Sequence, residues 1–237
     1  MHAWIDGLEL EANTLRFVAD KILGVPIPEV IHTWVDRDLP SNRTFFLNGH
    51  VPGEILEDAG PRFSDAQRVS AAQYVARVCV TLAKITLPRL ETIAGCGLSE
   101  SWLSDDAPKS HLTWKPRLMG PFTDKAMCAY MVESSTAPPP EVDPTFHFHH
   151  AHLGPNNVMV SGDGNVSGII DWESAAFYPR FYLPTKLLAA GAFNLESKTD
   201  KPGLWGYLLS GDLETQGGYK PDIANFRAWR ANTVDGK

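Results

Sequence analysis

Apolar positions along this chain recur with two periods. Leu15, Val18, Ala19 and Ile22 fall at i, i+3, i+4 and i+7, which predicts a helix over residues 8–23 that Gly24 and Pro26 stop. Residues 28–35 and 44–51 read as strands, with 36–42 as the loop between them. Ser64-Asp65-Ala66-Gln67 has the spacing of a capping box. Behind it Val69, Ala72, Ala76, Cys79, Val80 and Ala83 carry a helical stripe to about Thr86, and Pro88 is the stop. Over 89–121 the pattern fades into scattered Gly, Ser, Pro and Trp. A stretch of that length without periodicity is commonly functional, and Trp102, Trp114 and Phe122 are candidates either for a pocket or for local core. Thr123 caps a predicted helix through Met131, and Pro138-Pro139-Pro140 forces an extended break before a strand beginning at Phe146. Further helices are predicted at 184–190, 204–209 and 223–229, punctuated by Gly191, Gly211 and Gly217-Gly218. No internal repeat is present.

The richest stretch runs from His147 to Trp172. Val158-Met159-Val160 and the run 166–170 flank Gly162-Asp163-Gly164-Asn165, two β-prone segments around a turn, hence a hairpin. Asn157 opens it and Asp171 closes it, and their midpoint is Gly164, inside the turn. That register makes the two side chains neighbours at the open end. An amide oxygen beside a carboxylate suits Mg²⁺, which takes one or two protein oxygens and leaves its other positions to water and phosphate. Four histidines crowd the same stretch: His147, His149, His150 and His152. Strand alternation puts His147 and His149 on one face. Imidazoles also suit transition metals, but no Cys or Glu completes a familiar ligand spacing, so a zinc site is not the expectation.

Composition narrows the field. A chain of 237 residues with 43% hydrophobic content has material for one large domain or two small lobes. A formal net charge of −7 argues against nucleic acid or an anionic membrane as partner. Cys79, Cys96 and Cys128 have no paired spacing and read as free thiols in a reducing compartment. No apolar run is long enough to span a bilayer, and the first residues lack a signal-peptide pattern. A cytoplasmic location is therefore expected.

The motif H-x-D-L-x-x-x-N, a hairpin, then I-D-W-E resembles the catalytic core of aminoglycoside phosphotransferases and choline-kinase-like small-molecule kinases. The residues that carry the likeness are His150, Leu153, Asn157, Ile170, Asp171, Trp172 and Glu173. Leu153-Gly154-Pro155-Asn156-Asn157 and Phe177-Tyr178-Pro179-Arg180 resemble the fungal branch of that family. The resemblance implies an α+β, protein-kinase-like two-lobe fold, with a partial N-lobe over 1–53 and a mostly helical C-lobe over 54–237. It implies ATP and Mg²⁺ as cofactors, with Asn157 and Asp171 holding the metal and His150 bracing the loop. It makes Glu11 the glutamate that pairs with the ATP-binding lysine, Leu47-Asn48-Gly49-His50 the hinge that receives adenine, and 89–121 the side facing a small-molecule acceptor.

Two features depart from the family pattern. The Asp that accepts the acceptor's hydroxyl proton is replaced by His152. Ahead of Glu11 there is neither a lysine nor a glycine-rich segment, so the N-lobe is expected to be truncated, with an open strand edge through which copies self-associate. The resulting expectation is ATP- and Mg²⁺-dependent phosphoryl transfer to a small-molecule hydroxyl, weakened by these changes. The alternatives are a non-catalytic, pseudokinase-like binding protein and a histidine-based enzyme of other chemistry reusing the pocket.

Overall fold

In the structure, a computed structural model, residues 2–22, 24–36, 43–104, 117–189 and 204–233 are described. Trp114, Gly191 and most of the loop predicted over 36–42 lie outside them.

The first helix, α1 (His2–Lys21), begins well before the predicted start at residue 8. Its inward side is Ala12, Thr14, Leu15 and Val18, whereas Ala19 of the predicted stripe is exposed. Strands β1 (Val30–Asp36) and β2 (Arg43–Asn48) pair antiparallel, with Trp34 opposite Phe45 and His32 opposite Leu47. Helix α1 packs on this two-stranded sheet. A two-residue strand, β3 (Glu54–Ile55), follows, and then a short helix α2 (Leu56–Ala59). Neither was legible from the pattern, because elements of two and four residues are too short to carry a period.

Helix α3 (Asp65–Leu82) starts as predicted: Ser64 accepts from the Gln67 amide while the Gln67 side chain accepts from the Ser64 amide. It ends four residues short of Thr86. Thr86–Leu87 is instead strand β4, drawn off the helix by pairing with β5 (Phe146–His149). The Phe148 amide also donates to the Ile85 carbonyl, so long-range pairing overrides the local helical period. Helix α4 (Asp124–Ser134) carries the expected Thr123 cap and runs three residues beyond Met131. Strands β6 (Val158–Val160) and β7 (Val166–Ile169) form the predicted hairpin, and β8 (Ala176–Pro179) pairs with β5. The sheets are thus β1-β2, β3-β6-β7 and β4-β5-β8, all antiparallel.

Helices α5 (Tyr182–Ala189), α6 (Leu204–Gly217) and α7 (Ile223–Ala231) close the structure, with α6 packed on α3 and on α5. Gly211 does not end α6. Its helix cost of about 1 kcal/mol is outweighed by the burial of Trp205, Leu209 and Leu213. The core is aromatic: Trp172, Trp205, Trp229, Tyr178, Tyr182, Phe146, Phe148 and Phe226 are all fully buried. Cys79, Cys96 and Cys128 form no disulfide, and burial pushes the Cys79 thiol up to about 12.

The N-terminal elements meet the rest of the molecule on the β6–β7 hairpin. The Ile169 amide donates to the Pro26 carbonyl, and the Ser167 hydroxyl donates to the Pro52 carbonyl at 2.5 Å. Gly53, at φ 119, crosses so close to Val160 that a Cβ would collide with its carbonyl, and a Cβ on Gly168 would collide with the Val51 side chain. Gly53 lets two backbones touch, and Gly168 makes room for the Val51 side chain.

Candidate functional site

Strand β5 delivers the chain to a loop, and the hairpin delivers Asp171 back beside it. His150 is buried and its edge lies against the Trp172 ring, with centroids 4.6 Å apart. Its Nε2–H donates to the Ile170 carbonyl at 2.9 Å, and its Nδ1 accepts from the His152 amide at 3.2 Å. Those two contacts set the tautomer. Burial lowers its pKa to about 4, so it is a neutral strut between loop and hairpin.

At the open end, the Asn157 Nδ2 donates to Asp171 Oδ2 at 2.9 Å and to the His152 carbonyl at 2.8 Å. His152 Nδ1 lies 3.3 Å from the same Oδ2. Asp171 sits at φ 65, in the left-handed region that Asp tolerates better than most residues. The hydrogen bond from His152 holds its carboxyl below the ordinary value, against the upward pull of burial. Three predicted site residues, Asn157, Asp171 and His152, are therefore in mutual contact, and His150 supports them from behind.

Glu11 reaches the same place from α1. Its Oε1 accepts from the Trp172 amide at 3.2 Å. Burial raises its pKa, and the nearby Asp171 and Glu173 charges add to this, while the Trp172 N–H opposes it. The residues predicted as the hinge lie at the end of strand β2 and just after it. Leu47 and Asn48 belong to strand β2, and Leu47, Asn48 and His50 are all exposed. Among the described residues no hydrogen bond joins them to the Asp171 cluster; the Gly49 amide instead donates to the Glu29 carbonyl.

His147 and His149 share one face of β5, their rings 6.4 Å apart and both edge-on to Tyr219. His147 Nδ1–H donates to the Ala83 carbonyl at 2.8 Å. His149 is fully buried, makes no hydrogen bond to protein through either nitrogen, and is lowered to about 3, first by burial and then by His147. Among the described residues no group of three or more His, Cys, Asp or Glu is placed to hold a metal ion. Trp102 packs on Phe226 and Phe122 on Tyr130, both half-buried.

Sequence reasoning missed the groups that grip the loop from the helical side. Lys186 Nζ lies 2.8 Å from the Ala151 carbonyl and 2.8 Å from Glu100 Oε2. Trp205 Nε1–H donates to the Leu153 carbonyl at 2.9 Å. The one available signal was a lysine inside the apolar run of α5. Nothing in the pattern named its partner 86 positions away.

The family model described as "Phosphotransferase enzyme family" matches residues 2–193. No curated protein matches. Several solved structures share the fold. The streptomycin–ATP ternary complex of APH(2")-IIa superposes with a TM-score of 0.57 at 14% identity, over 94% of this chain and 70% of that one. The Streptomyces rimosus aminoglycoside phosphotransferase APH(3'')-Id, in complex with ADP and streptomycin, gives 0.54 at 15% identity, over 95% and 80%. An aminoglycoside-3'-phosphotransferase of type VIII gives 0.53 at 16% identity, over 94% and 78%. No helix among the described residues is long and apolar enough to cross a membrane. With the hairpin, its loop and the helices behind them arranged as in a kinase-like α+β fold, the chain belongs to the phosphotransferase enzyme family.

Proposed function

We propose that this protein transfers a phosphoryl group from ATP, with Mg²⁺, to a hydroxyl of a small molecule, using a weakened base. The observation that carries the reading is the meeting of Asn157, Asp171 and His152 at the open end of the hairpin. Mg²⁺ fits this donor set. The Asp171 carboxylate is a hard oxygen ligand, it is only half-buried, and both of its hydrogen bonds fall on Oδ2. The Asn157 amide turns its Nδ2 to that carboxylate and its Oδ1 accepts from Asn156 Nδ2, so its oxygen would join the ion only with the side chain turned. When bound, the ion would neutralise charge on the nucleotide phosphates. The chain's own residues do the rest. Glu11 holds the Trp172 amide and so fixes the end of the hairpin. His152, with Nδ1–H directed at Asp171, keeps Nε2 to accept the acceptor's hydroxyl proton, the arrangement of a base held by an orienting carboxylate. It lacks the fixed negative charge of the aspartate it replaces, which is why we expect slow turnover.

In the same reading, residues 1–53 act as a partial N-lobe that receives adenine near Leu47, Asn48 and His50. Residues 54–237 act as the C-lobe, and the protein works in the cytoplasm on a small-molecule acceptor, without nucleic acid or membrane. The ATP and ADP complexes of the fold neighbours support a nucleotide as donor. A second reading, a non-catalytic nucleotide-binding relative, draws support from the contact between His152 and Asp171. There the residue at the base position is engaged with the metal-binding carboxylate itself.

Mg-ATP binding tests the nucleotide site. A ligand at about a hundredfold excess over its Kd stabilises by about 2.7 kcal/mol, a rise of several degrees in Tm. Asp171→Asn, which keeps a side chain tolerant of positive φ, should abolish that rise. Wild type that does not respond to millimolar Mg-ATP would remove the nucleotide site, and with it both readings. A response without turnover of any small-molecule alcohol selects the second.

A further inference from the structure

We propose that Lys186, paired with Glu100, is a positioning residue: its ammonium fixes the Ala151 carbonyl and thereby sets the backbone that presents His152, Asn157 and Asp171 to one another. The inference rests on the phosphotransferase reading for what the loop is positioned to do, but not for the loop's geometry.

The loop at 150–157 turns at Ala151, which sits at φ 64. That left-handed conformation is costly for alanine and persists only where the surroundings impose it. The residues on either side of the turn are the strut His150 and the proposed base His152. Four successive carbonyls each have their own donor. Ala151 takes Lys186 Nζ, His152 takes the Asn157 side chain, Leu153 takes Trp205 Nε1–H, and Gly154 takes the Asn157 amide. Lys186 is the only charged donor of the set, and it grips the strained residue itself.

Its surroundings explain how a charge is kept there. Lys186 and Glu100 are each 5% exposed, and their ion pair is 2.8 Å long. Burial pulls the lysine down, and Glu100 opposes that pull. The Tyr182 ring lies 5.6 Å from the ammonium, and the second oxygen of Glu100 accepts from the Trp102 amide at 3.0 Å. A buried ion pair is a poor way to gain stability, since apolar side chains of similar volume usually serve as well or better. What it supplies here is a directed donor at one carbonyl. Because Glu100 belongs to the irregular stretch after β4, the pair also ties that stretch to the loop.

The test uses the full chain as wild type, Lys186→Met, Lys186→Arg and Glu100→Gln, read by amide hydrogen exchange and by imidazole ¹⁵N spectra. In Lys186→Met, exchange at 151–157 should rise about tenfold or more relative to amides of α3 and α6. The His150 signal should lose its single Nε2–H tautomer. Lys186→Arg, which keeps charge and donors, should retain both. Folded Lys186→Met with an unchanged loop and an unchanged His150 signal overturns the proposal. So does an increase spread evenly over the helices, which would mark the pair as general support. If Lys186→Met does not fold, Glu100→Gln is read instead: a smaller rise confined to 151–157 supports the assignment, and a flat profile overturns it. The same samples are melted with Mg-ATP. Absence of a response in wild type defeats the phosphotransferase reading and leaves the loop result standing. A full Mg-ATP response in a loop-loosened Lys186→Met overturns the positioning role.

Discussion

The two ends of this molecule solve the problem of their polar and apolar groups in opposite ways. Around the loop and hairpin, the loop carbonyls and the indole rings are matched with partners, while the His149 ring is buried without one. Trp172 and Trp205 are fully buried yet each donates its indole N–H to a carbonyl. On β1 and β2 the reverse holds. Ile31 is 55% exposed, Leu47 48% and Trp34 43%, and the His32, Trp34 and Phe45 rings stack on one another in the open. Among the described residues, the N-terminal elements meet the hairpin and the core strand behind it through Pro26 on Ile169, Pro52 on Ser167, Glu11 on Trp172, and Phe17 edge-on to Phe148. The loop's carbonyls are held from the helical side, while Glu11 of α1 holds the end of the hairpin. Among the described residues, the N-terminal sheet keeps one apolar face exposed.

The sharpest way to break that contrast is at Phe148, which joins the two ends. Its ring lies 5.3 Å from both Phe17 and Phe177 and is fully buried. Phe148→Ala should cost about 3–5 kcal/mol, measured by denaturant melts, and should unfold both ends together. A loss under about 1 kcal/mol, the range of an ordinary surface change, would mean that the core is not organised around this strand.

The second largest effect is a dependence on acid. His149 is held neutral in the folded state, lowered to about 3 from an ordinary 6.5. Above pH 6.5 neither state is protonated there and the group contributes no slope. As pH falls from 6.5 toward 3, the unfolded chain takes up a proton that the folded one refuses, so stability drops. The limiting slope is about 1.4 kcal/mol per pH unit. His149→Phe, which fills similar space with no titratable nitrogen, should flatten that part of the profile. Denaturation midpoints compared between pH 7 and pH 4 read the difference. Equal slopes in the two proteins would show that His149 gains a proton in the fold, and that the matched core is less dry than it looks.

What was legible in the sequence follows the same divide. Signals that close locally came through. The Ser64–Gln67 capping box and the Thr123 cap each need only four residues. Asn157 and Asp171 flank the hairpin, and although its register pairs Val158 with Ile169, one position off symmetry about Gly164, the two side chains meet at its open end. Elements that depend on distant partners did not come through. Thr86–Leu87 is a strand only because β5 lies beside it, and Glu54–Ile55 only because β6 does. The Lys186–Glu100 pair spans the chain and leaves no period. The strand expected over 44–51, which ends at Asn48, shows the same limit. The residue types were read correctly as strand-forming, but where the strand ends depends on its pairing with β1.

The smallest effect on stability falls on the exposed face, and there the useful readout is association. Trp34 and Phe45 stack with centroids 5.1 Å apart on a surface that neither α1 nor the hairpin covers. Stacking of this kind contributes about 0.5–1.5 kcal/mol, and because solvent already reaches both rings, Trp34→Ser should cost no more than about 1 kcal/mol. Phe148→Ala should cost several times that. An apolar face on a sheet that has two strands among the described residues is, however, a template for pairing with another copy. Wild type should therefore show concentration-dependent association in light scattering, and Trp34→Ser should reduce it while leaving the melting curve almost in place. A monodisperse wild-type monomer would show that the face is tolerated in water and plays no part in assembly. A large loss of stability in Trp34→Ser would show that β1 and β2 are integral to the core, which would erase the contrast between the two ends.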